Sequence, residues 1–306
     1  MKYCGVIFLI VAAALLVWFG VETRSKVLSY LAPANKQMAA VFQETITPRD
    51  LKKDYRSGRL KVLLVPGHDR EFIGATYQGA EEARLNIEMA RALAEVLAAD
   101  QKLEVITTRD LVTGDYTLEM EKYLTDNRQS IRRFKSSQQA LMAELLDNGL
   151  VENKKNHNHA FVNQEISERL YGVNKWANDH DIDIAIHIHF NDYPRPKKEK
   201  PKYHGLAVYV PDEQYPNGRA SEMVAKKVFS ALNTVRPTST NPFEVAGVVP
   251  DQELIAIGSN ANLHGAAMLI EYGYIYEPEF QSVLGREKIF KAMAEKTYEG
   301  LKDYLD

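Results

Sequence analysis

Cysteine is almost missing from this chain: Cys4 is the only one among 306 residues, so no intramolecular disulfide can form and a cysteine-built zinc cluster is excluded. Any metal would have to be held by histidine and carboxylate. Charge of one sign is missing as well, because 38 Lys and Arg stand against 41 Asp and Glu and the formal net charge is -3. That balance leaves no concentrated basic face, so nucleic acid is not an expected partner. Internal repeats and low-complexity tracts are also lacking. With 45% hydrophobic residues the chain can bury a core, and its length suits one main globular domain with accessories.

Residues 5–21 contain no charged side chain and are bracketed by Lys2 and by Glu22, Arg24 and Lys26. As a helix this run of 17 residues would reach roughly 26 Å, close to a bilayer core of ~30 Å. A small-x-small cleavage triplet is lacking at Val21-Glu22-Thr23-Arg24. Residues 1–22 therefore read as an uncleaved signal anchor or transmembrane helix, with a cleaved export signal as the alternative. Lys2 and the terminal amine balance Arg24 and Lys26, so charge alone does not orient the segment. Residues 23–58, broken by Pro33 and Pro48, are expected to form a linker or stalk, and residues 59–306 the main domain.

From Lys61 onward, apolar runs alternate with helical stretches. Strands are predicted near residues 62–65, 103–107, 182–189, 206–210 and 267–270, and helices near 80–98, 168–179, 221–232 and 286–304. The alternation predicts an α/β fold, a mostly parallel twisted sheet with helices on both faces, preceded by the N-terminal hydrophobic helix. Residues 111–164 carry no strand signal and read as a helical insertion. Its acids Glu119, Glu121 and Glu144 could reach toward a metal and regulate access; a solvated surface excursion is the plainer alternative.

Val62 to Val65 leads into Pro66-Gly67-His68, placing His68 just beyond the C-terminal end of a strand, where open α/β sheets bind ligands. On the following helix, Glu82 shares a stripe with Leu85, Met89, Leu93 and Val96, whereas Glu81 shares one with Arg84, Glu88, Arg91 and Glu95. The apolar stripe must face the sheet, so Glu82 points inward. Residues 181–191 alternate with period two and put His187, His189 and Asn191 on one face. His189 lies nearer the strand end, in the layer of His68; His187 is hydrogen-bonded in the core, a partner of the site or an alternative ligand, and Asn191 is a further candidate partner of the site. A last apolar strand delivers Glu271 at its C-terminal end, and burying a lone carboxylate is costly unless a cation or hydrogen bonds compensate. Two neutral imidazoles and one carboxylate, His68, Glu82 and His189, match an open hydrolytic zinc site, one ion whose water has a pKa lowered to about 7. Glu271 would be its general base.

At this point a resemblance emerges over residues 61–304. Val65-Pro66-Gly67-His68, Gly74-Ala75, Glu82 with Asn86-Ile87, Thr108-Arg109, Arg169 with Ala177-Asn178, the strand from Asp183 to Asn191, and Leu269 to Tyr274 together resemble, in order, the motifs of the zinc-dependent N-acetylmuramoyl-L-alanine amidase family of amidase-3 type. The resemblance implies hydrolysis of the amide between N-acetylmuramic acid and L-alanine, with His189 in the ligand position and Glu271 on the catalytic glutamate. It implies peptidoglycan as substrate; with the N-terminal run read as an anchor, the protein is expected on the extracytoplasmic face of a bacterial membrane, attached through that helix, or secreted if the segment is cleaved, and a regulatory protein partner stays open. Three departures stand out: Asp69-Arg70 replaces the family's Gly-Gly, His187 replaces its Ser, and the stretch over residues 111–164 is longer than its usual connection.

Two rival readings use the same residues. His68-Asp69-Arg70-Glu71 is a His-x-x-Glu pair that resembles the zinc metallocarboxypeptidases, with Glu71 in place of Glu82 beside His189. Alternatively, the chain could be a catalytically inactive cell-wall-binding protein.

Overall fold

The computed structural model describes residues 44–154, 162–193, 199–258 and 263–306. The globular unit is Thr45–Asp306, and the expected N-terminal anchor over residues 1–22 lies outside the described residues. Among the described residues no helix is long and apolar enough to cross a membrane.

The globular unit begins earlier than the expected residue 59. Helix α1 (Pro48–Arg56) is started by a capping box between Thr47 and Asp50 with proline in its first turn, a local signal that fixes the helix start. Its Leu51 and Tyr55 are buried in the main core, so this part of the expected stalk is structural. The short apolar stripe on a mostly charged helix gave little sign of that burial.

Strands β1 (Leu60–Pro66), β4 (Leu103–Thr107), β5 (Ile184–Asn191), β6 (Ala207–Pro211), β7 (Val248–Asp251) and β8 (Ala266–Tyr274) form one sheet in the order β4-β1-β5-β8-β6-β7. Strands β2 (Thr76–Tyr77) and β3 (Ala80–Glu81) form a small separate hairpin. All neighbouring pairs in the main sheet are parallel except β6 with β8, as the predominantly parallel reading expects. The edge strand β7 escaped sequence reading because it is four residues long and contains Pro250, a residue tolerated only where a ladder donor can be spared.

Helices cover both faces. Leu85 and Met89 of α2 (Glu82–Leu97), Val224 of α6 (Gly218–Leu232) and Met293 of α7 (Val283–Leu305) pack on one face with Val62, Leu64, Ile184 and Ile186. Met120 of α3 (Leu118–Asp126), together with Val173 and Trp176 of α5 (Gln164–Asp179), packs on the other with Leu63, Val65, Ala185 and Leu269. Strand alternation therefore distributes neighbouring residues to opposite cores, and a strand enclosed on both sides reads as a continuous apolar run. The expected insertion contains α3 and α4 (Arg128–Asp147).

At the far end of the sheet, Asp183 accepts from the Lys61 backbone N–H at 2.7 Å. Burial pushes its carboxyl up from 3.8 to about 6, against the pull of that N–H. The folded state thus holds this proton more tightly than the unfolded chain; the resulting penalty is absent below pH 3.8, grows as pH rises to about 6 and persists above it. Asp183→Asn retains an acceptor and removes the charge. We predict that it raises stability at pH 7 by about 1 kcal/mol, after discounting for solvent screening. Urea unfolding should show this gain vanish below about pH 4; an equal effect at both pH values would contradict the assignment.

Candidate metal centre

The C-terminal ends of β1, β5 and β8 bring the site together. His68 follows β1 after Gly67, His189 lies near the end of β5, and Glu271 is its register partner on β8. Glu82 is the first residue of α2 and points inward, 5% exposed, as the helix phase predicts. Ligand atoms of His68, Glu82 and His189 all lie within 4.8 Å of one another, and the three residues could hold a metal ion.

Glu82 is the hub. Its Oε2 lies 3.2 Å from His68 Nε2 and its Oε1 3.0 Å from His189 Nδ1. The Ala75 N–H donates to Oε2 at 2.9 Å and the Phe190 N–H to Oε1 at 3.4 Å. Burial opposes the charge on Glu82, yet contacts with His189 and His68 outweigh it and hold the carboxyl far below the usual carboxylate range. The two imidazoles respond differently. Burial dominates for His189 and lowers its pKa, whereas the Glu82 contacts overcome burial at His68 and raise it.

Two glycines make room for this cluster. A β-carbon on Gly67 would overlap the His189 imidazole, and one on Gly74, whose φ is +72°, would overlap both Glu82 and His68. His68 itself has φ 62°, a left-handed conformation uncommon for a residue with a β-carbon. Asp69 secures the loop that imposes it. Its Oδ1 accepts from the N–H groups of Glu71 and Phe72 at 2.9 and 2.7 Å, and its Oδ2 accepts from Arg169 Nη1 at 2.9 Å and from Arg109 Nη2 at 3.4 Å. The aspartate where the family pattern has glycine thus ties the His68 loop to two arginines.

The remaining predicted residues divide clearly. Glu71 lies outside the metal group, its Oε2 accepting from Arg169 at 2.7 Å. His187 is buried beside the group with no hydrogen-bond partner on Nε2, and burial pushes its pKa down to about 3, with the neighbouring His189 adding to the shift. Glu119, Glu121 and Glu144 do not enter the group; Glu119 lies 3.7 Å from His180. Asn191 donates through Nδ2 to Glu244 at 2.8 Å.

Glu244 was not signalled by any motif. Its buried carboxylate also accepts from Tyr209 at 2.8 Å, from Tyr274 at 2.9 Å and from Ser239. A loop residue reveals such a role only when the strands and loops carrying its donors are assembled. The contrast with Glu271 is instructive, because Glu271 Oε2 is buried without a partner. Burial, reinforced by repulsion from Glu82 and Glu244, holds its carboxyl well above the ordinary value. A cation beside it would offset that penalty.

This is an α/β enzyme architecture with a compact His-Glu-His group and an adjacent buried acid at the strand ends. The family model for N-acetylmuramoyl-L-alanine amidase matches residues 62–303, and the chain belongs to that amidase family. Among solved structures, the CwlD amidase from Clostridioides difficile in complex with the GerS lipoprotein is 19% identical, with a TM-score of 0.52 and coverage of 81% of this chain and 98% of that one. Ami1 from Mycobacterium smegmatis is 16% identical, with a TM-score of 0.52 and coverage of 80% and 96%. An amidase from Clostridium difficile 630 gives 19% identity, a TM-score of 0.51 and coverage of 81% and 97%. At these identities the likeness is one of fold. None of the curated proteins matches the chain.

Gly67→Ala should displace His189 without removing any ligand atom. We predict metal affinity at least about tenfold weaker, in the range set by disturbing the support of a ligand, with circular dichroism still native. Competition with a chelator measures it, and unchanged affinity would contradict the crowding argument.

Proposed function

We propose that this amidase hydrolyses the amide between N-acetylmuramic acid and L-alanine of peptidoglycan with one zinc ion held by His68, Glu82 and His189. The observation that carries the reading is the pairing of that group with Glu271, a half-buried residue with one carboxylate oxygen buried and unpartnered at the same level of the sheet. Zinc suits a two-imidazole, one-carboxylate donor set, and when bound it supplies Lewis acidity to the amide carbonyl. Glu271 takes the proton of the attacking water and returns it to the leaving amine of L-alanine. Burial, with the neighbouring carboxylates of Glu82 and Glu244, makes its carboxylate a stronger base than an exposed one. Glu82, fixed by two backbone N–H groups, keeps both imidazoles turned inward.

The carboxypeptidase-like alternative draws no support from Glu71, which Arg169 holds outside the group. A cell-wall-binding role without catalysis leaves the geometry of Glu271 unexplained. We further propose that residues 1–22 anchor the enzyme so that it acts on the extracytoplasmic face of a bacterial membrane, on the strength of the uncharged run over residues 5–21.

Metal analysis and release of stem peptide from purified peptidoglycan test the reading. Wild type and Glu71→Ala should carry one zinc per chain, and Glu82→Ala should lose it. Glu271→Gln should retain the metal while kcat falls by about 10²- to 10⁴-fold. Zinc retained by Glu82→Ala, or full turnover by Glu271→Gln, would overturn the assignment.

A further inference from the structure

A trough of about 860 Å³ opens at His68 and follows the outer side of α2, with the loop at Val112 to Gly114 and the first turns of α7 as its other walls. Its lining on α2 runs from Ala83 to Val96, a rise of roughly 20 Å. Such a length suits an extended polymer. Because His68 belongs both to the metal group and to the lining, the trough leads directly away from the reacting centre.

Its electrostatics favour an uncharged occupant. Five basic and five acidic side chains line it, and several are already committed to one another. Glu88 accepts from Arg84 Nε at 3.0 Å and from Arg286 Nε at 2.6 Å, while Arg91 Nε donates to the Leu111 carbonyl at 2.9 Å. Arg286, only 8% exposed, is fixed further by donating to the Phe280 carbonyl at 3.1 Å. The floor is therefore an ordered mixture of donors and acceptors with no summed charge. Val112 and Val283 stand at the rim, 83% and 57% exposed, and offer apolar surface without a partner among the described core contacts. Hydroxyl and acetamido groups match such a floor, and the apolar faces of sugar rings match such a rim.

A second trough, of about 490 Å³, meets the first at Asp69 and Arg70 but carries four basic against six acidic side chains. It is the poorer match for an uncharged chain. We infer that the trough along α2 holds the glycan strand of peptidoglycan on the muramic acid side of the scissile amide. This assignment rests on the amidase reading and specifies which arm of that substrate lies where.

Ala92→Trp and Thr113→Trp fill the trough from opposite walls, and neither residue belongs to the metal group. For variants with native melting curves, kcat/KM on polymeric peptidoglycan should fall by about tenfold or more, while kcat/KM on muramyl dipeptide, which has a single sugar, should stay within about twofold. Equal loss on both substrates would assign the trough to the peptide arm, and unchanged cleavage of both would leave it no role in glycan binding; either result overturns the inference. Co-sedimentation with chitin particles, which present uncharged strands of acetamido sugars, supplies an independent readout. Wild type should bind them and both variants should bind at least about tenfold more weakly. If wild type cleaves neither substrate, the amidase reading fails, and this binding comparison still decides the glycan assignment: retained binding by the variants contradicts it.

Discussion

The site depends on one buried carboxylate. Glu82 stands 3.2 and 3.0 Å from the two imidazoles and accepts two backbone N–H groups. A charge this enclosed is tolerable only when its neighbours replace water. The start of α2, the glycine turn before it and the ends of two strands must therefore meet at fixed distances. Glycine at 67 and 74 permits the approach, and the Asp69 contacts with Arg169 and Arg109 hold the His68 loop in its unusual backbone conformation.

Glu271 presents the opposite condition. It shares the layer of His189 through the strand register, yet one of its oxygens has no partner. Nearby Glu244 is surrounded by hydroxyl and amide donors. Two acids at one sheet end thus differ in what they are given: Glu244 is engaged by four donors, whereas one oxygen of Glu271 is left without a partner. The proposed acid-base role of Glu271 draws on that difference.

Much of this arrangement was legible because regular structure converts spacing into direction. Period-two alternation placed His187, His189 and Asn191 on one face, and helical phase separated Glu82 from Glu81. The choice between Glu82 and Glu71 was harder, since a His-x-x-Glu spacing is equally apparent in sequence. In the structure Glu82 lies on the inward α2 stripe, whereas Glu71 is engaged by Arg169, which comes from a helix about a hundred positions away. Long-range contacts of this kind leave no local periodic signal. The same applies to Glu244, gathered from loop and strand partners, and to α1, whose two core residues look unremarkable on a charged segment. Asn191 illustrates an intermediate case: its face was readable, but its engagement with Glu244 required the assembled sheet.

The trough along α2 opens at His68, and the second trough meets it at Asp69 and Arg70. Everything in that arrangement is referred to the metal position, so the most direct test is anomalous diffraction at the zinc edge from crystals of the zinc-loaded protein. The account predicts one strong peak coordinated by nitrogen from His68 and His189 and oxygen from Glu82 at about 2.0 to 2.2 Å. A peak ligated by Glu71, or one away from these three residues, would contradict it.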